Sequence, residues 1–322
     1  MSLPEVVTVG EAMVLLYSAD GSTPLRKVRQ LTMDVGGADS NFAIGMTRLG
    51  FSAGWVSRVG AGPLGEFVVQ TIADEGVDVS RVASDQDHPT GVYFKYHDGD
   101  EETRVIYYRS ASAASYLRPE DLDPGYFAKA RLLHLNGMTC ALGESCERTV
   151  REALRLAKKV GAVASLDLNL RLQLWSVDAA RRAILPLLPQ ATVLFGTEDE
   201  FRILFDRPSL PDALRAASRL GPETVVAKCG ERGAAALVSG TLISHGGFSP
   251  PDFVDSVGAG DGFNAGFMAS LLRGLTPGEA LRFANLIGAA AVAVPGDFQG
   301  YPSWSQLEEL ASTWPEKAAT VG

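Results

Sequence analysis

The sequence predicts an α/β fold: a layered sheet flanked by helices, with a small β-sheet standing apart as a lid. Three observations predict it. Short apolar runs alternate with stretches of helical periodicity through most of the length. One pair of β-rich runs interrupts that alternation. The 322 residues, 46% hydrophobic and 21% charged, supply a sizeable core without forcing a split, so a single domain spanning 1–322 is expected.

Taken in order, Val6–Val9 reads as a first buried strand. Ser40–Leu49 reads as a helix with Asp39 or Ser40 as N-cap, Phe42, Met46 and Leu49 on one face, and Gly50 as its stop. Leu64–Glu75 repeats the pattern with Phe67, Val68 and Ile72 and stops at Gly76. Further strands are expected at Leu132–Leu135, Ala162–Leu168, Thr192–Phe195 and Thr224–Ala227, with helices Glu144–Val160 and Val177–Leu188 among them. The interrupting runs are Gly91–Tyr96 and Arg104–Arg109, joined by the turn-rich His97-Asp98-Gly99-Asp100. They predict a hairpin outside the main sheet, with Met13–Tyr17 pairing to it. Such a sheet, built from about 11–33 and 90–112, is either a lid that excludes water or a surface decoration.

Bulk chemistry narrows the function. A net charge of −9 and a pI near 5.1 oppose binding to nucleic acid or to an anionic membrane surface. The three cysteines and four histidines show no metal-ligand spacing. The opening Met1-Ser2-Leu3-Pro4 carries no signal-peptide pattern, and the longest apolar stretch, Leu286 to Val294, is too short to span a bilayer. A cytoplasmic protein acting on a small molecule is therefore expected.

The most informative segment is Asp255-Ser256-Val257-Gly258-Ala259-Gly260-Asp261, which leads into an apolar helical run from Phe263 to Leu272. Glycines let successive N–H groups converge on one anion, and the helix N-terminus adds its positive dipole end. Such a loop suits the charge that builds on a transferring phosphoryl group. Asp261 stands where a carboxylate could accept a proton from an attacking hydroxyl, and a loose transition state asks little of that base. The alternative is that Asp261 caps a helix and the glycines make a tight turn. Gly-Lys-Ser and Gly-Lys-Thr are absent, and no GxGxxG comes directly after the first strand, Val6–Val9. That disfavours a Walker A loop and a dinucleotide oxidoreductase.

The 255–261 segment resembles the C-terminal signature of the ribokinase-like (PfkB) carbohydrate kinases. A second signature of that family resembles Gly36-Gly37-Ala38-Asp39-Ser40-Asn41 followed by Met46-Thr47-Arg48-Leu49-Gly50. The resemblance implies a Rossmann-like three-layer αβα sandwich with a β lid, ATP as donor, Mg²⁺, and a monovalent cation such as K⁺ beside the Asp255–Gly258 loop. It also implies that Asp261 is the catalytic base, that Gly258, Ala259 and Gly260 form the anion hole, and that Gly36, Gly37 and Asn41 lie along the sugar. Lys228, Gly230, Gly233 and Asn285 match nucleotide-side positions. Glu200 matches a residue that organises Mg²⁺ through water, with Thr197 in place of that segment's usual Asn.

Within the family, two arginines point to a sugar acid. Strand alternation puts Tyr107 and Arg109 on one face of the hairpin, and Arg171 follows a buried strand. An Arg can clamp a carboxylate with two parallel hydrogen bonds. The alternative is that both arginines make structural salt bridges. Tyr93, Tyr107, Arg109 and Arg171 match substrate positions of the 2-keto-3-deoxygluconate kinases, which implies phosphorylation of that acid to its 6-phosphate. Leu15 stands where neutral-sugar relatives carry an acidic residue. A kinase of fructose, ribose or a deoxy-keto-inositol derivative remains the competing enzyme. A non-catalytic binding protein is the competing class, and pairing of two copies through the lid edge is also expected.

Overall fold

Strands and helices alternate because short continuous apolar runs, buried on both faces of a central sheet, are separated by stretches of helical period. The computed structural model describes residues 3–18, 24–96 and 103–319. Its strands are β1 (Val6–Val9), β2 (Met13–Tyr17), β3 (Thr32–Gly36), β4 (Ala53–Gly60), β5 (Asp78–Asp85), β6 (Val92–Tyr96), β7 (Arg104–Tyr108), β8 (Leu132–Asn136), β9 (Val163–Asp167), β10 (Val193–Thr197), β11 (Thr224–Lys228), β12 (Ala234–Val238) and β13 (Thr241–His245).

Nine strands form one sheet in the order β13-β12-β11-β10-β9-β8-β1-β4-β5. The run from β11 to β5 is parallel, and β12 and β13 add an antiparallel edge. Adjacent residues on one strand serve opposite faces, as the pleat requires. Leu133 and Val225 join the core beneath helices Glu144–Val160, Val177–Ile184 and Leu210–Ser218. Their neighbours Leu132 and Val226 join the core beneath Ala38–Arg48, Ala259–Leu272 and Pro277–Ala291. The result is the expected helix–sheet–helix sandwich. The strand order reverses between β1 and β8, which opens a crevice at the carboxyl ends of the strands, where ligands of such sheets bind.

The remaining strands make a separate four-stranded sheet in the order β3-β2-β6-β7. Here Met13–Tyr17 does pair with the hairpin, running parallel to β6, and β6 pairs antiparallel with β7. Strand β3 carries the sheet past the expected limit at residue 33, to Gly36. The turn read at His97-Asp98-Gly99-Asp100 and residues 19–23 of the expected lid lie outside the described residues. One face of this sheet gathers Met13, Leu15 and Tyr93, with Tyr17, Val105 and Tyr107 against them. Leu15 is thus part of an apolar wall.

Two helix boundaries depart from the sequence reading. The helix expected from Ser40 starts at Ala38, with Gly37 as N-cap and no side-chain cap. Asp39 cannot cap because it lies inside the first turn, buried against Asn136. The helix expected over Val177–Leu188 is α-helical only to Ile184 and tightens to a 3₁₀ turn over Leu185–Gln190. Pro186 and Pro189 lack the N–H that an α-helix needs there.

Candidate active site

Four neighbouring parallel strands end on polar residues, and these form the floor of the site. Asn136, Asp167, Thr197 and Lys228 are the last residues of β8, β9, β10 and β11, with Asn136 beside Asp167 and Thr197 beside Lys228 in register. A cavity of about 1550 Å³ opens above Asp167, Thr197 and Lys228. Tyr96, Arg104, Val105 and Tyr107 of the small sheet line one part of it, and Gly247 to Pro250, Asn285 and Gly288 another.

The glycine loop enters this cavity as the start of the helix Ala259–Leu272. Gly258 is its N-cap at φ 82°, a conformation that disfavours any side chain, and a Cβ there would fall onto the carbonyl of Asp297. The Tyr301 hydroxyl donates to the Gly258 carbonyl and fixes the turn. Gly258, Ala259, Gly260 and Asp261 all line the cavity. Lys228 stands behind them: its Nζ donates to Asp167 Oδ2 at 2.6 Å and lies 3.4 Å from Asn264 Oδ1. Asn264 Nδ2 donates to the same Asp167 oxygen at 2.6 Å. Burial works against ionisation of Asp167, but the Lys228 ammonium prevails and holds its carboxyl below the ordinary value.

Asp261 accepts a hydrogen bond from Asn41 Nδ2 at 2.9 Å, so two distant signatures meet at one carboxylate. Burial pushes its pKa up to about 7, and Asp167 adds to the rise while Asn41, Lys228 and Arg171 oppose it. Such a group takes and gives a proton at neutral pH, which a simple helix cap does not need.

A chain of side-chain hydrogen bonds crosses the floor to Arg171. Asn136 Nδ2 donates to Asp39 Oδ1 at 3.1 Å, and Asn169 Nδ2 donates to Asn136 Oδ1 at 3.0 Å. Arg171 Nε donates to Asn169 Oδ1 at 2.8 Å. Both Asn169 (φ 37°) and Arg171 (φ 42°) are left-handed, strain of a kind held only where surroundings over-determine it. Burial would lower the pKa of Arg171, but Tyr107, Asp261 and Glu200 outweigh it and raise it. Desolvation, with Asp261 and Asp167 nearby, pushes Asp39 well above an ordinary carboxyl.

The sequence-predicted residues divide into two groups. Tyr107, Arg171, Thr197, Glu200, Lys228, Gly230, Gly233, Asn285 and the 258–261 loop share the cavity wall. Gly36, Gly37, Asn41, Tyr93 and Arg109 stand behind it. Gly36 leaves room for the Tyr93 hydroxyl, which would collide with any Cβ there, and that hydroxyl donates to Asp297 Oδ2 at 2.6 Å. Arg109 is a correction to its expected place on the cavity wall. Its guanidinium is buried and ion-paired with Glu11, a carboxylate that is 1% exposed and needs a cation. It does share a face with Tyr107, stacking at 5.5 Å from that ring's centre.

Glu200 is also more constrained than expected. Its Oε2 accepts from the Thr197 N–H and its Oε1 from the Leu170 N–H, both at 2.7 Å. It straps a helix to the loop that carries Arg171. Thr197 is the N-cap of that helix. Among the described residues no three His, Cys, Asp or Glu side chains form a metal cluster, and no helix is long and apolar enough to cross a membrane. Asp167, Asn169 and Asn136 were missed from sequence. The available signal was a polar residue closing each buried apolar run.

A sequence model of the pfkB family carbohydrate kinases matches residues 3–304. The 2-dehydro-3-deoxygluconokinase of Bacillus subtilis is 35% identical over 96% of this chain and 95% of its own. The 2-dehydro-3-deoxygalactonokinase of Haloferax volcanii is 34% identical over 91% and 92%. Among solved structures, an E. coli protein assigned provisionally as ribokinase II, in complex with ATP and Mg²⁺, superposes with a TM-score of 0.89. It is 24% identical and covers 96% of this chain and 99% of its own. Matched along nearly its whole length, with both signatures converging on Asp261, this chain belongs to the pfkB family of carbohydrate kinases.

Proposed function

We propose that the enzyme transfers the γ-phosphoryl group of ATP to a hydroxyl of a small sugar acid, with 2-keto-3-deoxygluconate, phosphorylated at O6, as the substrate. The observation that carries this reading is the placement of Asp261. A carboxyl poised near pH 7 lies in the first turn of a helix whose leading residues, Gly258 to Gly260, line the same cavity as Arg171. The names of the 2-dehydro-3-deoxygluconokinase and 2-dehydro-3-deoxygalactonokinase relatives support the choice of a sugar acid.

In this reading Asp261 accepts the proton of the attacking hydroxyl, and the backbone N–H groups of residues 258–260 take the charge that develops on the phosphoryl oxygens. Arg171 and Tyr107 hold the acceptor's carboxylate, and Arg109 steadies the Tyr107 ring from behind. Gly36, Gly37, Asn41 and Tyr93 shape the sugar end. Lys228, Gly230, Gly233 and Asn285 shape the nucleotide end. The small sheet acts as a lid that excludes water from the cavity. Mg²⁺ would supply charge neutralisation on the nucleotide phosphates. Glu200, on the cavity wall, would hold the ion through water, since that ion keeps several waters and needs few protein carboxylates. The test is ATP consumption across sugar acids and neutral sugars with Mg²⁺ present. Turnover with 2-keto-3-deoxygluconate should exceed that with fructose or ribose. Preference for a neutral sugar would sink the assignment.

A further inference from the structure

A buried ion cluster outside the cavity wall joins the small sheet to the glycine loop. Lys95, on β6, places its ammonium against both Asp255 and Asp297, and all three residues are almost fully buried. Asp255 opens the glycine loop and fixes its next turn, because its Oδ1 accepts from the Val257 N–H at 2.9 Å. Asp297 lies on the other side of that loop, its backbone carbonyl packed where a Gly258 side chain would stand. Removing the ammonium would leave two buried carboxylates facing each other, and like charges so close cannot both stay ionised without moving apart. The backbone that would move carries Gly258.

The monovalent cation implied by the family resemblance does not fit the residues present here. Asp255 Oδ2 already meets the Lys95 ammonium. Asp297 Oδ1 takes the same ammonium at 3.1 Å, and its Oδ2 takes the Tyr93 hydroxyl. The carbonyls of Phe298 and Tyr301 accept from Arg48 at 2.8 and 3.0 Å. All four carboxylate oxygens of Asp255 and Asp297, the anionic ligands a metal cation would need beside this loop, already face a protein cation or donor.

We propose that Lys95 is a positioning residue for phosphoryl transfer: its ammonium ties the small sheet to the glycine loop and supplies the positive charge that a bound monovalent cation would otherwise supply. The inference rests on the reading of residues 258–261 as the phosphate-holding element. It predicts an enzyme indifferent to K⁺ and a small sheet whose seating is coupled to the shape of the anion hole.

The experiment compares wild-type, Lys95→Ala and Lys95→Arg enzymes in K⁺, NH₄⁺ and tetramethylammonium salts at matched ionic strength. Wild-type kcat and thermal midpoint should be the same in all three. Lys95→Ala should lose at least about tenfold in kcat, with KM for both substrates changed less than about threefold, because the anion hole acts on the transition state. K⁺ or NH₄⁺ should restore part of that loss, and tetramethylammonium should not. Lys95→Arg should retain most activity. A wild-type enzyme activated tenfold or so by K⁺, or stabilised by it alone, overturns the proposal; so does a Lys95→Ala loss that no cation restores, or no loss at all. If Lys95→Ala fails to fold, the wild-type comparison decides. Wild-type phosphorylation of the sugar acid reports separately on the underlying functional reading.

Discussion

Replacing Asp261 by Asn separates a catalytic base from a helix cap, because the two roles predict opposite changes in stability. Folding raises the Asp261 pKa from 3.8 to about 7, chiefly through burial. A carboxyl raised in this way contributes favourably to folding below pH 3.8, and that contribution is lost as pH rises through 7. Above neutrality the folded state therefore carries a carboxylate it would rather protonate. Three pH units or so correspond to an upper bound of about 4 kcal/mol. The side chain is partly open to the cavity, and an anion in the first helical turn regains about 0.3–1 kcal/mol. The net relief in the Asn variant at pH 8 is then at most about 3 kcal/mol, worth up to several degrees in thermal midpoint. The Asn41 hydrogen bond survives, since an amide oxygen still accepts it. Turnover should fall by about 10²–10⁴ with little change in KM, as for loss of a general base. Steady-state kinetics and a thermal melt on the same sample test both signs. Near wild-type turnover, or a variant destabilised by a kilocalorie or more, would make Asp261 a structural residue rather than the base.

Other expectations follow from the same geometry. kcat/KM should rise with pH through a midpoint near 7, because only the ionised carboxyl accepts a proton, and a profile flat from pH 5.5 to about 8.5 would contradict this. Arg171→Ala should raise KM for a sugar acid by about 10–100-fold through loss of a charge-assisted hydrogen bond, with little effect on a neutral sugar; equal effects on both would remove the clamp. Lys228→Met should destabilise by about 3–5 kcal/mol, because Asp167 would be left buried and unpaired. Denaturant melts of the Asp167→Asn, Lys228→Met double variant should recover much of that loss. Gly258→Ala should abolish turnover, since its φ of 82° and the Asp297 carbonyl both exclude a side chain; measurable activity would show that the loop can relax.

The glycine loop was legible because its chemistry is local: glycine spacing, an acidic residue and an apolar helix follow one another within the stretch from Asp255 to Leu272. The four-strand floor was half legible. Apolar runs marked the strands, but Asn136, Asp167 and Asn169 acquire meaning only when neighbouring strands bring their ends together in register. Arg109 shows the limit most clearly. Strand alternation put it on the Tyr107 face, where it is, yet alternation says nothing of Glu11, which is far upstream in sequence and takes its charge. Glu200 was recognisable as a residue of the site, whereas its two backbone partners depend on how the Leu170 turn is folded. Helix ends shifted for local reasons, at Gly37 through a backbone turn and at Ile184 through proline.

In the proposed mechanism, the carboxylate in the first helical turn activates an alcohol while the adjoining N–H groups hold the migrating phosphate. A crystal structure with a sugar acid, a non-hydrolysable ATP analogue and Mg²⁺ tests it most directly. The acceptor hydroxyl should lie about 2.6–3.2 Å from Asp261, with the terminal phosphate at the N–H groups of the glycine loop. An acceptor bound with its hydroxyls turned away from Asp261, or a phosphate lodged elsewhere in the cavity, would contradict the account.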